Sequence, residues 1–154
     1  KVLLRKVASL EKPVIMSTGM SNLQEINSAY KILKEKSNNI ALLHCISSYP
    51  TEENDANLSV IYKLKESFDC VIGHSDHTND IKVPLLAVAA GAQIIEKHFR
   101  IDENMDCIDG PVSISEKKLT KLVAGVREIE KIFGDEYLGV TNAEKEIVPF
   151  RRFS

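Results

Sequence analysis

The 154-residue sequence has no GxGxxG or GxxxxGK[ST] glycine pattern, which counts against a dinucleotide or nucleoside-triphosphate site. It has no surplus of basic charge: 20 Lys+Arg stand against 22 Asp+Glu, a formal net charge of −2. Nothing is therefore left over to neutralise a nucleic-acid backbone. No apolar run approaches the roughly 20 residues that span a bilayer. The longest, Val83 to Ala92, is interrupted by Pro84. The opening KVLLRKVASLEK has neither the apolar core nor the small-residue cleavage site of a signal peptide. The three cysteines, Cys45, Cys70 and Cys107, are odd in number and share no CxxC spacing, so they read as reduced packing thiols and not as a zinc site. Seven Gly and five Pro are too few for a disordered or fibrous chain. These absences predict a soluble, cytoplasmic α/β chain.

Four short apolar runs rich in Val, Ile and Leu begin at Pro13, Ile40, Cys70 and Gln93, 23 to 30 residues apart: PVIMS, IALLHC, CVIG and QIIEKHF. Each has the character of a strand buried on both faces of a parallel sheet. Helix patterns lie between them. Ser21 with Gln24 forms a candidate capping box ahead of Leu23, Ile26, Tyr30 and Leu33. Asn57 is a candidate cap for a helix that turns Leu58, Ile61, Tyr62 and Phe68 inward. An apolar helix is expected from Ile81 to Ala90, with Gly91 past its end. The clearest has Ser115 as N-cap, then Leu119, Leu122, Val123, Val126, Ile129, Ile132 and Phe133, and is stopped by Gly134. Val2 to Leu10 reads as the end of another helix.

Strand–helix alternation of this kind means consecutive right-handed βαβ units. An open doubly wound sheet and a (β/α)8 barrel both use them. A barrel takes eight units and about 250 residues, whereas four units are present here. The pattern stops after Gly134, where 135–154 reads as a polar linker. The expectation is a chain cut at both ends.

In parallel α/β folds, ligands bind at the C-terminal ends of the strands. All four histidines fall there: His44, His74, His77 and His98. His77 and His98 end consecutive strands, and two neutral imidazoles suit a divalent ion such as manganese, iron or zinc. Taken singly, a strand-end histidine is more often structural. Glu96 lies two residues before His98 and shares its face, as a buried-rim acid/base group or hydroxyl ligand. The alternative for Glu96 is an ion pair with a lysine. Lys97 points the other way, as a helix-facing structural cation. Ser17, Ser47, Ser48 and Ser75, with the backbone around Thr18-Gly19, supply neutral donors of the kind that bind phosphate. The first strand ends in Ser17 and not in Asp, which disfavours a phospho-acceptor receiver domain.

The segments KPVIMSTGM, ALLHCISSYPTEENDANL, VIGHSDHT and IIEKHF, in this order and spacing, closely resemble the sialic acid synthase family of N-acetylneuraminate, legionaminate and pseudaminate synthases. The resemblance runs from about Val2 to Gly134. It implies a (β/α)8 barrel that condenses phosphoenolpyruvate with an open-chain N-acetylated mannose-type sugar. The products would be a nine-carbon 2-keto acid sugar and phosphate, and a divalent metal, typically manganese, is required. By the resemblance, His77 and His98 are the metal ligands, Ser17 and Ser75 bind phosphate, and Ser47 stands where some members have Asn. Tyr49, Glu96 and Asp109 fall where the family contacts the sugar. The stretch Met105-Asp106-Cys107-Ile108-Asp109 departs from the family's Pro-Gly-Pro-Asp, so Asp106 is an alternative to Asp109.

The resemblance further implies that residues 1–134 are strands five to eight of the barrel. The first four units, with a phosphate-binding lysine and a sugar-binding glutamate, and a C-terminal antifreeze-like domain are expected outside this sequence. Two other readings stand beside this one. One is a different phosphoenolpyruvate-dependent synthase of keto-deoxy sugar acids. The other is a noncatalytic metal-binding module. Four parallel strands cut from a barrel would leave two edges and one face open, which predicts a homodimer closing over residues 13–100. The alternative is a flattened, doubly wound sheet with the N-terminal helix folded over that face.

Overall fold

The structure, a computed structural model, describes residues 1–102 and 104–152; the last two positions of the expected linker lie outside the described residues. The elements follow in the order α1 (Val2–Ala8), β1 (Val14–Ser17), α2 (Leu23–Lys34), β2 (Ile40–Cys45), α3 (Val60–Ser67), β3 (Val71–Asp76), α4 (Lys82–Ala89), β4 (Ile95–Lys97) and α5 (Glu116–Phe133). The four strands form one parallel sheet in the order β1-β2-β3-β4. A sequential order with right-handed crossovers sends every connecting helix to the same face, which gives a half-barrel. A doubly wound sheet needs the strand order to reverse, and this one does not. Nor does α1 cover the open face: it packs on α2, and Leu4, Val7 and Ala8 join the helix-side core.

That core lies between the sheet and its helices. Strand residues Ile40, Leu42 and Ile72 meet Ile26 and Leu33 of α2, Ile61 and Leu64 of α3, and Ala87 of α4. Alternation sends Ala41, Leu43 and Cys45 of β2, and Gly73 and Ser75 of β3, to the opposite, concave face. Gly73 has a packing reason to lack a side chain. A Cβ there would sit 2.5 Å from Leu43 Cδ2 and 2.5 Å from the Ile94 carbonyl oxygen.

Burial on both faces holds for β2, whose six residues are all buried, but not for the outer strands. β1 and β4 each have one neighbour in the sheet, and Ile15 on β1 is 60% exposed. β3 runs on through His74-Ser75-Asp76, whereas β4 is confined to Ile95–Lys97.

The helix starts differ from expectation by one or two residues. The capping box of α2 is Asn22 with Glu25, not Ser21 with Gln24: Asn22 Oδ1 accepts from the Glu25 amide (3.0 Å) and Glu25 Oε2 from the Asn22 amide (2.9 Å). Both windows fit the motif, but this one places a carboxylate at the positive end of the helix dipole. Asn57 is not the cap of α3. It adopts φ 45, which Asn tolerates, and its Oδ1 accepts from the hydroxyl of Ser59, the true N-cap. α5 begins after Ser115 and ends at Gly134 as expected, where φ is 65. Beyond it, 135–150 is exposed and contains two short 3-10 turns, Asn142–Glu144 and Val148–Phe150.

Candidate active site

The C-terminal ends of β2, β3 and β4 bring most of the singled-out residues to one place. His77 directly follows β3, and its carbonyl accepts from the Thr51 amide at 2.9 Å, which ties it to the loop after β2. Its Nδ1 lies 2.8 Å from the Ile46 carbonyl oxygen. A carbonyl only accepts, so Nδ1 carries the proton and Nε2 keeps a free lone pair. His98, one residue beyond β4, has its ring centroid 5.3 Å from that of His77 at 60°. Asp109 Oδ2 stands 3.6 Å from His98 Nδ1. Asp106, the alternative, instead lines a neighbouring cavity of about 450 Å³ with Arg100 and Lys118.

Tyr49 completes the cluster. Its ring lies 4.1 Å from that of His77 and meets His98 edge-on at 5.7 Å. Desolvation, then the neighbouring Cys45, Asp109 and Glu96, push the phenol above its ordinary pKa. It therefore stays protonated at neutral pH and able to donate. Ser75, opposite Glu96 in the register, donates its hydroxyl to Glu96 Oε1 at 2.6 Å. Glu96 is exposed and not the buried-rim group expected, because β4 is an outer strand with no further neighbour in this sheet. Among the described residues Glu96 forms no ion pair with a lysine; it accepts from the serine instead.

The phosphate-type donors are less gathered. Ser47 packs over Gly19: a Cβ on Gly19 would fall 2.2 Å from the Ser47 hydroxyl, which would have to rotate away, and 3.2 Å from Cys45 Sγ. Ser48 turns back to the Pro50 carbonyl at 2.9 Å. Ser17 shares the concave face but pairs with Leu43, level with Gly73 and one side-chain layer below Ser75. It is two strands away, about 10 Å at the usual strand spacing.

The other two histidines face the helices. His44 Nε2 lies 2.7 Å from the Ala56 carbonyl, and His74 bridges the His44 carbonyl (3.1 Å) and Asp76 Oδ1 (3.3 Å). Lys97 is the helix-facing structural cation anticipated, 2.6 Å from Asp76 Oδ2. Asp76 and Thr78, which bonds it, were not singled out in the sequence. The signal was the parity of SDHT: Asp76 shares a face with Ile72 and His74, and both lie against the helices. Cys45 was read as packing only, yet its Sγ lies 4.0 Å from His77 Nδ1.

As a metal site, the cluster offers two imidazoles. His77 has its Nδ1 oriented by a carbonyl, the outer-shell arrangement that metal-binding histidines use, whereas the Asp109 carboxylate stands 3.6 Å from His98 Nδ1, just beyond hydrogen-bond reach. No group of three or more His, Cys, Asp or Glu side chains is arranged to hold an ion among the described residues. The fit is therefore to an ion that takes two protein nitrogens and fills its other positions with water or substrate. No helix among the described residues is long and apolar enough to cross a membrane.

Parallel βα units in sequential order, with polar groups collected at one rim, place the chain among the (β/α) barrel-type folds. The chain belongs to the NeuB family, which it matches over residues 1–137. It is 43% identical over 145 residues to the N,N'-diacetyllegionaminic acid synthase of Campylobacter jejuni, covering 92% of this chain and 42% of that protein. It is 36% identical over 151 residues to the pseudaminic acid synthase of the same organism, covering 97% of this chain and 43% of that one. Its fold is similar to the N-acetylneuraminic acid synthetase of Leptospira borgpetersenii, crystallised with citrate. The TM-score is 0.93 at 44% identity, over 97% of this chain and 53% of that chain. The chain thus spans about half the length of the relatives it matches.

Proposed function

We propose that this chain is the site-bearing half of a synthase that joins phosphoenolpyruvate to an N-acetylated mannose-type aldose, releasing phosphate and a nine-carbon 2-keto sugar acid. The observation that carries the reading is the His77–His98 pair standing beside Ser75–Glu96 and under Tyr49. A divalent metal, manganese by the family resemblance, would be held by His77 and His98; when bound it supplies Lewis-acid polarisation of the sugar aldehyde. The chain's own groups do the rest. Ser47 and Ser17 donate to phosphate oxygens and orient phosphoenolpyruvate, and Ser75 joins them once its hydroxyl turns away from Glu96. Glu96 accepts from a sugar hydroxyl or moves a proton, and Asp109 and the Tyr49 hydroxyl position the sugar. The similarity to both legionaminic and pseudaminic synthases fits an amino-sugar substrate of this class without selecting one sugar.

The test is phosphate release from phosphoenolpyruvate, Mn2+ and N-acetylmannosamine or its 6-deoxy diacetamido relatives, using full-length protein. Release that needs both the sugar and the metal supports the reading. Release with a phosphorylated unmodified aldose alone would favour a keto-deoxy acid synthase. A second reading holds for these 154 residues by themselves, since only two metal-binding side chains are gathered: they bind the ion without turnover. We place the protein in the cytoplasm, with a second copy as its partner. For these 154 residues by themselves, exposed Ile15 and Val71 and the outer edges of β1 and β4 are the surfaces that support a homodimer. Sedimentation at low micromolar concentration is expected to show a dimer; a clean monomer rejects it.

A further inference from the structure

On the far side of the sheet from the site lies a buried ion pair. The last register pair of the short β4 is Asp76 opposite Lys97. The Lys97 ammonium donates to Asp76 Oδ2 at 2.6 Å, with side-chain exposures of 3% and 1%. Lys97 also donates to the Thr78 carbonyl, and the Thr78 hydroxyl lies 3.0 and 2.9 Å from the two Asp76 oxygens. Lys97 thus grips the chain on both sides of His77: at Asp76 just before it and at Thr78 just after.

A buried pair of this kind gives up much of its hydration, so its net contribution to stability is small. What it fixes is position. Alternation sends Asp76 and Lys97 to the helix side, and their neighbours Ser75, His77, Glu96 and His98 to the concave side. The pair is the fastener between two concave-face couples, Ser75–Glu96 at 2.6 Å before it and His77–His98 after it. His77 has further ties, to Thr51 and Ile46. His98 leaves β4 immediately after Lys97, and its carbonyl accepts from the Ile114 amide at 2.9 Å. The lysine is therefore the side-chain link nearest to both histidines, beyond the last register pair of β3 and β4.

We propose that Asp76, Lys97 and Thr78 form a clamp that sets the separation and orientation of His77 and His98, which makes Asp76 and Lys97 positioning residues for the metal-binding pair. The proposal rests on the reading of those histidines as metal ligands. The test is the double variant Asp76→Asn, Lys97→Met, which removes both charges of the pair together. Two readouts are taken: ring-to-ring contacts and His77 tautomer by NMR in the metal-free protein, and affinity for Mn2+ alone by titration calorimetry.

The expected result is a cooperatively folded variant whose His77–His98 contacts weaken, whose His77 tautomer averages, and whose Mn2+ affinity falls at least ~10-fold, the size of an outer-shell loss. A folded variant with unchanged imidazole spectra overturns the clamp. Should the double variant not fold, Lys97→Arg alone decides. It keeps the charge but changes the donor geometry, and both imidazole spectra are expected to shift; unchanged spectra overturn the proposal. Failure of the metal reading looks different: the unaltered protein takes up no Mn2+, while the spectra of the double variant still change.

Discussion

The rim of the half-barrel carries two pairs of histidines at nearly the same ring spacing, 5.5 Å for His44–His74 and 5.3 Å for His77–His98. The first pair lies on the helix side, 4% and 2% exposed. Three of its four ring nitrogens are engaged, by the Ala56 and His44 carbonyls and by Asp76. The second lies on the concave side, where His77 keeps Nε2 free and the His98 side chain is 32% exposed. Spacing does not separate a structural histidine from a ligand. An uncommitted nitrogen facing an opening does.

The largest expected effect tests that distinction directly. On the proposed reading, His77→Ala or His98→Ala removes one of the two nitrogens that hold the metal. Mn2+ or Zn2+ affinity should fall at least ~100-fold, because loss of an outer-shell partner alone costs about 10–100-fold. His44→Gln, which keeps an amide donor for the Ala56 carbonyl, should leave affinity within about twofold, as expected for a group that touches no ligand. Titration calorimetry on the four proteins reads this, and equal losses from both pairs would dissolve the comparison.

How much of this was legible depends on what each feature needs. The strand-end placement of the histidines requires only four apolar runs and the helices between them, and the parallel half-barrel follows from the repeat. The division of the four into two pairs was also written in the sequence, as parity. His44 follows Leu42 by two and His74 follows Ile72 by two, and both leaders face the helices. Read together as one group at one rim, the four histidines hide that division. The Asp76–Lys97 pairing was not legible, because it needs the register between β3 and β4, and one residue of slip would send both side chains to the other face. Glu96 looked buried because the strand it sits on was taken as interior. Whether an outer strand is covered depends on what lies beside it, which no local pattern states. The shift of the α2 capping box from Ser21 to Asn22 is a smaller failure of the same type, two overlapping windows decided by which acidic side chain reaches back.

A second, smaller effect separates the pairs by stability. His74→Ala should cost about 2–4 kcal/mol, from a core cavity and from the lost hydrogen bonds to the His44 carbonyl and Asp76. His98→Ala, at a part-exposed position outside the core, should cost under about 1 kcal/mol. Urea denaturation of both variants decides it. Similar losses would mean that His98 is as structural as His74.

The smallest effect is in the pH dependence of folding, and its sign follows from where His44 sits. Burial, the largest influence, disfavours the imidazolium and lowers its pKa. The nearby His74 acts the same way, and the Ala56 carbonyl works against them. In the unfolded chain His44 takes up a proton near its ordinary pKa of about 6.5, whereas in the folded chain it does so only at lower pH. Its contribution to stability is therefore complete above about pH 6.5 and is lost as pH falls from there toward the lowered folded value. Asp76 acts in a separate, lower window. Burial alone would raise its pKa, but hydrogen bonds from His74, Lys97 and Thr78 and the lysine charge outweigh it and hold the carboxyl below the ordinary range. That contribution is present above an unfolded value of about 3.9 and is lost only as pH drops through the folded one. Urea midpoints measured from pH 7.5 to 4.5 should decline in the unaltered protein, and the decline should be shallower in His44→Gln, since Gln donates to the same carbonyl but does not titrate. A variant that follows the unaltered protein point for point would assign the acid loss to groups other than His44.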